Sequence, residues 1–266
     1  MNPASPSPDS PPLLVLENLA VGPTEAGDRP WLAGVNASLR PGDFWVVSGA
    51  HGSGKSALLF TLAGLQPPMG GRISWTARDT PQPSGEDDVR ARRRIGLVFD
   101  NGGRLFHRLT VLENVALPLC YHENQSFDEA RPRAEALLGA LDLLEWIHTT
   151  PGRLRPATRQ RVALARALIL QPEVLLLDDP VAGLGAQETQ WWRETLRGFA
   201  AGHALTGGRA LAVMVTLHEL EPWVEVGTRF VRLQAGRWTP VNDRKELLAL
   251  ANPRVREGLA GGEPGG

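Results

Sequence analysis

Apolar residues in this chain of 266 amino acids fall into two rhythms. Short apolar runs at 13–21, 35–39, 44–48, 72–75, 95–99, 174–178, 210–216 and 229–233 read as strands. Apolar positions at three- and four-residue spacing over 130–144, 160–170 and 187–199 read as helices, with a further helix near Glu219. The polar, Gly/Pro-containing stretch 22–30 separates the first two strands. The strand 44–48 runs directly into a glycine-rich turn, followed by an apolar helix that begins near Gly54. From 111 to about 170 the pattern is helical throughout, which marks an insertion between strands. A run such as Val174-Leu175-Leu176-Leu177 has no polar face and must be buried on both sides. Strands of that kind alternating with helices imply an α/β fold, a mainly parallel sheet covered on both faces. Residues 13–259 are expected to form one domain. The Pro/Ser-rich segment 1–12 is expected as a disordered leader and the Gly-rich 260–266 as a flexible tail.

Composition narrows the functional classes. Lys and Arg number 28 against 29 Asp and Glu, a net charge of −1, so no basic excess points to nucleic acid or to a polyanionic surface. The single cysteine, Cys120, excludes an intramolecular disulfide and reads as a small buried hydrophobe. No run of 18 apolar residues appears, so a membrane role has to come through a partner. The arginine run 90–94 reads as a solvated turn before a buried strand.

Two segments carry chemistry. Gly49-Ala50-His51-Gly52-Ser53-Gly54-Lys55-Ser56 fills every defined position of the phosphate-loop pattern, between a strand and a helix as that chemistry requires. Glycines let consecutive backbone N–H groups aim at phosphate oxygens, and the helix N terminus adds partial positive charge. Lys55 is expected to reach the β- and γ-phosphates and Ser56 to offer its hydroxyl to Mg²⁺, while His51 fills a variable position. Farther on, the apolar strand 174–178 ends in Asp178 and Asp179. Asp178 is placed to orient Mg²⁺, and Asp179 to act as general base on the attacking water. Together the two segments read as a nucleoside triphosphatase.

From residue 13 to 259 the chain resembles ABC-type ATPases. Ile95-Gly96-Leu97-Val98-Phe99-Asp100 stands where that family has its Q-loop, and Leu109-Thr110-Val111-Leu112-Glu113-Asn114-Val115 follows. Leu154 to Leu168, from Leu154-Arg155-Pro156-Ala157-Thr158 through Arg159-Gln160-Arg161-Val162-Ala163-Leu164-Ala165-Arg166-Ala167-Leu168, resembles the signature segment and its helix. His218, in Thr216-Leu217-His218-Glu219-Leu220, matches the histidine that contacts the γ-phosphate. The resemblance implies a P-loop ATPase core with an N-terminal antiparallel β region and a helical subdomain at about 103–170. It also implies ATP and Mg²⁺ as ligands, a second ATPase subunit (the same chain or another) closing over two nucleotides, and a membrane permease as partner. Such a subunit sits on the inner face of the bacterial inner membrane. Leu105-Phe106, Ala116-Leu117-Pro118-Leu119 and the tail from Asn252 to Leu259 resemble the Mla/Mce-type phospholipid-transport ATPases. That likeness implies a lipid cargo, with Mce-domain and STAS-type accessory proteins.

Several departures from the family fall on catalytic positions. Asp100 replaces the Q-loop glutamine, with Asn101 beside it as a possible amide substitute. A carboxylate can still meet the metal but donates no amide hydrogen bond. Pro156 and Ala157 replace the signature glycines, Asp179 the catalytic glutamate, and Gly185 the aspartate of the loop that bridges the two sites. Val21 occupies the approximate place of the adenine-stacking aromatic. Trp31 is an alternative stacking residue, although packing at the domain surface is its more ordinary reading. ATP binding is therefore expected to survive better than turnover. Two readings follow: a slow transport ATPase, and a regulatory ATP-binding switch that hydrolyses little or nothing.

Overall fold

The computed structural model describes residues 10–23, 28–75, 93–218, 220–242 and 246–247. The expected leader over 1–9, Arg90 and Arg92, Glu219, the likeness at 252–259 and the tail 260–266 lie outside the described residues, as does the side chain of Asn101.

Among the described residues nine strands form one sheet in the order β4-β1-β2-β9-β8-β3-β7-β6-β5: β1 Leu14–Val21, β2 Leu32–Leu39, β3 Phe44–Gly49, β4 Gly70–Trp75, β5 Ile95–Val98, β6 Val174–Asp178, β7 Ala212–Leu217, β8 Arg229–Gln234 and β9 Arg237–Pro240. The five strands β8-β3-β7-β6-β5 run parallel to one another, whereas β1 pairs antiparallel with β2 and β4, and β8 antiparallel with β9. Among the described residues the α-helices are α1 Lys55–Leu62, α2 Asp100–Gly103, α3 Val111–His122, α4 Phe127–Ala140, α5 Pro156–Leu168 and α6 Ala186–Ala201.

Continuous hydrophobicity in the central strands has a direct structural reason. In β6, Leu175 and Leu177 enter a core with α3, α5 and α6, while Val174 and Leu176 enter a second core with α1, β1 and β2. The same division separates Phe44 and Val46 from Trp45 and Val47 in β3. Each strand therefore contributes to both apolar layers, and both β6 and β7 are buried at every position. The C-terminal ends of β3, β6 and β7 emerge together from this sheet. The phosphate loop follows β3, Asp178 and Asp179 end β6, and His218 follows β7.

Three elements depart from the sequence pattern. The helix expected at 130–144 spans Phe127–Ala140, because Asp142 turns left-handed (φ 57°) and the Leu143 N–H closes back on Leu138 O. The helix expected at 160–170 starts at Pro156, whose fixed φ suits a first helical position. Glu219, near which a helix is expected, lies outside the described residues, and the described residues just after it form a short 3-10 turn, Glu221–Trp223. The sequence pattern also did not anticipate β9. It forms a hairpin with β8 over Ala235 and Gly236, both at positive φ, and meets β2 at Ala33, so the antiparallel and parallel parts become one sheet.

Candidate functional site

The strand-to-helix turn after β3 is glycine-rich for reasons visible in its geometry. A Cβ at Gly49 would stand 2.6 Å from Ser53 Oγ and 3.0 Å from Leu233 Cβ, and Gly54 takes φ +91° immediately before α1. Side chains at these positions would open the turn. The Ser53 hydroxyl is buried and has no partner among the described residues. Ser56 stands exposed in the first turn of α1. Lys55 is 7% exposed, and its ammonium donates to Gly49 O at 2.6 Å and Ala50 O at 2.8 Å. The lysine thus folds over its own loop, against the surface where phosphates would lie. Burial pushes its pKa down, and the negative charges of Asp179 and Asp178 oppose that shift.

Across the loop, Asp178 is 4% exposed, and Oδ1 accepts from Thr216 Oγ1 at 2.8 Å. Register explains the pair: Asp178 of β6 lies beside Thr216 of β7. One carboxylate oxygen is fixed and the orientation of the other is set. Asp179 adopts a left-handed backbone (φ 39°), its N–H donates to Thr216 O at 3.0 Å, and Oδ2 lies 3.6 Å from His218 Nε2. Burial pushes the Asp179 carboxyl up, with nearby Asp178 and Asp100 adding to the shift and His218 and Lys55 opposing it. A carboxyl with a raised pKa is a stronger base than an ordinary one when ionised.

A cavity of about 610 Å³ lies over the loop, bounded among others by Gly49, His51, Ser53, Trp31, His218 and Gly236. His51 and His218 stack across it, with ring centroids 6.1 Å apart and planes 13° from parallel. Asp179 lies to one side, lining a second cavity of about 270 Å³ with Gly102, Pro156, Gln160 and Gly183. The structure therefore brings Lys55, Asp178, Asp179 and His218 within electrostatic reach of one another, with Ser56 beside Lys55 in α1, and the helix that Asp100 opens borders the Asp179 cavity through Gly102. Val21 is fully buried, which removes it as a stacking surface, whereas Trp31 is 50% exposed and lines the larger cavity instead of packing away from the site.

The residues present fit a magnesium nucleotide. Lys55 and the positive-φ glycines form a cradle, the buried Ser53 hydroxyl lacks a partner among the described residues, the Ser56 hydroxyl stands exposed beside Lys55, and Asp178 is held by Thr216. No group of three or more His, Cys, Asp or Glu among the described residues could hold a metal alone, so a cation here needs phosphate and water oxygens to complete its shell.

Sequence reading missed Thr216, which fixes Asp178, and Gln160, which binds the backbone around Asp100. Thr216 could have been found by setting the ends of the two apolar strands side by side. Nothing local marks Gln160, because its partners lie about sixty residues away.

Comparisons with known proteins agree with this geometry. The chain matches the ABC transporter family over residues 32–182. It is 37% identical over 238 residues to the probable sulfate/thiosulfate import ATP-binding protein CysA of Chlorella vulgaris, covering 88% of this chain and 92% of that one. It is 36% identical over 216 residues to the sulfate/thiosulfate import ATP-binding protein CysA of Bordetella parapertussis, covering 80% of this chain but only 58% of the relative's length. Among solved structures, a dimeric bacterial ABC transporter cassette superposes with a TM-score of 0.72 at 29% identity, over 85% of this chain and 96% of that one. The dimeric post-hydrolysis state of that cassette, bound to ADP and Pi, gives the same values. The cbiO1 protein of Clostridium perfringens shares the fold at a TM-score of 0.73 and 22% identity, over 94% of this chain and 99% of that one.

Proposed function

This chain belongs to the ABC transporter family, and from that premise we propose that it is an ATP-binding, slowly hydrolysing subunit that energises an importer of small oxyanions such as sulfate or thiosulfate. The observation that carries the site assignment is the cavity over the phosphate loop, lined by Gly49 to Ser53 and His218, with Lys55 held on the loop carbonyls and Asp179 3.6 Å from His218. The cargo class rests on the names of the relatives, 37% and 36% identical to this chain.

Each residue has a role in this reading. The amides between Gly49 and Ser56 and the Lys55 ammonium bind the β- and γ-phosphates. Trp31 offers its indole face to adenine. Ser56 and Asp178, with Asp100 nearby, hold the metal side. When bound, Mg²⁺ neutralises charge on the phosphate oxygens. Asp179 takes a proton from the attacking water, and His218 donates a hydrogen bond toward the γ-phosphate while staying near the Asp179 carboxylate. Loss of one methylene relative to glutamate draws that base back by roughly 1 Å, a displacement that costs on the order of a hundredfold in rate.

A second copy or a related subunit would place its α5 N terminus on the open side of the nucleotide. One observation favours the alternative of an ATP-operated switch with little turnover. Helix α5 starts at Pro156, which has no N–H, with Arg155 exposed before it and no side-chain cap. The lipid-type reading, with Mce-domain and STAS-type partners, depends largely on the tail from 252 to 259, outside the described residues, and none of the relatives above carries a lipid name.

Reconstitution tests the choice. Vesicles holding the chain with the permease that co-purifies from membranes are expected to take up sulfate or thiosulfate when supplied with ATP, and to stop with Lys55→Ala. ATP-dependent lipid movement without oxyanion uptake would replace the importer reading with the lipid one. Binding of ATP by a chain that associates with no permease would replace it with the switch.

A further inference from the structure

Gln160 is a long polar side chain at 3% exposure in α5. Burying an amide is unfavourable unless both halves find partners. Here both halves find them in one short stretch: Nε2 donates to Phe99 O at 2.9 Å, and Oε1 accepts from Gly102 N at 2.8 Å. These two backbone groups bracket Asp100, the first residue of α2. Gly102 permits the approach, since at φ +88° its missing Cβ would lie 2.9 Å from Arg159 Nε of the same helix α5.

A second attachment comes from the other direction. The Arg104 guanidinium covers the Phe99 ring at 4.7 Å and the Phe60 ring at 5.2 Å, and Phe60 belongs to α1, the helix that begins with Lys55. Thus α2, only four residues long, is tied to the phosphate-loop helix by aromatic contacts and to α5 by one amide. Gly102 and Gln160 line the same cavity as Asp179, which places the short helix opened by Asp100 by the reacting end of the site.

We propose that Gln160 is a positioning residue that holds Asp100 at the metal side of the nucleotide by hydrogen-bonding the backbone on both sides of it, so that displacement of α5 displaces Asp100. The inference rests on the reading of Asp100 as a metal-side group. Both a donor and an acceptor are needed at residue 160. Glutamate supplies no donor when ionised, and methionine supplies neither group while filling a similar volume.

The test is equilibrium binding of ATP to the full chain, by calorimetry, in EDTA and in saturating Mg²⁺, for wild type, Asp100→Ala, Gln160→Met, Gln160→Glu and the double variant Asp100→Ala/Gln160→Met. Thermal unfolding confirms that each variant is folded. Gln160→Met and Gln160→Glu are expected to lose about tenfold of the tightening that Mg²⁺ confers, the usual scale for a group that orients a metal ligand, while affinity in EDTA stays at the wild-type value. The double variant is expected to be no worse than Asp100→Ala. If Asp100→Ala loses the tightening while both Gln160 variants keep it, or if the losses add in full, the inference is overturned. If Asp100→Ala keeps the wild-type tightening, the reading of Asp100 fails and the inference fails with it.

Discussion

Lys55 and Asp179 each carry a charge that their surroundings resist. Burial lowers the lysine pKa and raises the carboxyl, and the two groups partly relieve each other. Linkage then has a definite sign. Asp179 binds its proton more tightly folded than unfolded, so its contribution to stability falls as pH rises from the ordinary value of 3.8 through the raised one. Asp179→Asn is expected to raise the melting temperature at neutral pH, with the gain disappearing below the ordinary carboxylate value. Thermal unfolding across pH reads this, and a gain that persists in acid would assign it to something other than the charge. Asp179→Glu restores the missing methylene and is expected to raise steady-state hydrolysis by roughly ten- to a hundredfold. Thr216→Val leaves Asp178 Oδ1 without its donor and is expected to slow hydrolysis by about tenfold, with the Mg²⁺ requirement rising in the same assay. The phosphate-loop residues and the two aspartates were legible in the sequence because their spacing is local. Thr216 was not, because its role exists only where β6 and β7 lie in register.

Elements in the helical region show the same division between local and distant signals. Helix α3 opens with a capping box: the Thr110 side chain accepts from the Glu113 N–H, and the Glu113 carboxylate accepts from the Thr110 N–H. Asn114, fully buried, accepts from the Phe106 N–H and donates to the Phe106, Leu109 and Thr110 carbonyls, which holds the incoming loop. These contacts give a physical reason for the segment Leu109-Thr110-Val111-Leu112-Glu113-Asn114 that likeness alone had singled out. Thr110→Ala is expected to cost about 1 kcal/mol, measured by chemical denaturation, and to leave nucleotide affinity unchanged. The end of α4 was misjudged because Leu141, Leu143 and Leu144 continue the apolar count, yet Asp142 leaves the helix to place them differently. Strand β9 was missed because four residues with one buried side chain carry too short a pattern to read.

At the scale of the whole molecule, the parallel strands act as a frame that delivers three loop ends to one place. That frame was legible from the apolar runs, since strands apolar on both faces admit few other arrangements. What couples the frame to the helical region was not, because it runs through Gln160, Arg104 and the phenylalanine pair, contacts between segments distant in sequence. No helix among the described residues is long and apolar enough to cross a membrane, so transport requires a separate permease chain or segment. On the proposed reading, the departures at Asp179, Pro156 and Gly185 fall on water activation or on contacts across a subunit pair, whereas Lys55, Ser56, Asp178 and His218, proposed to grip the triphosphate from within one chain, keep the family's residues. The account therefore turns on binding. Calorimetric titration of the folded chain with MgATP is expected to give a Kd on the order of micromolar or tighter, with Lys55→Ala weakening it by about a hundredfold or more. Absence of binding by folded wild type, or equal binding by Lys55→Ala, would contradict it.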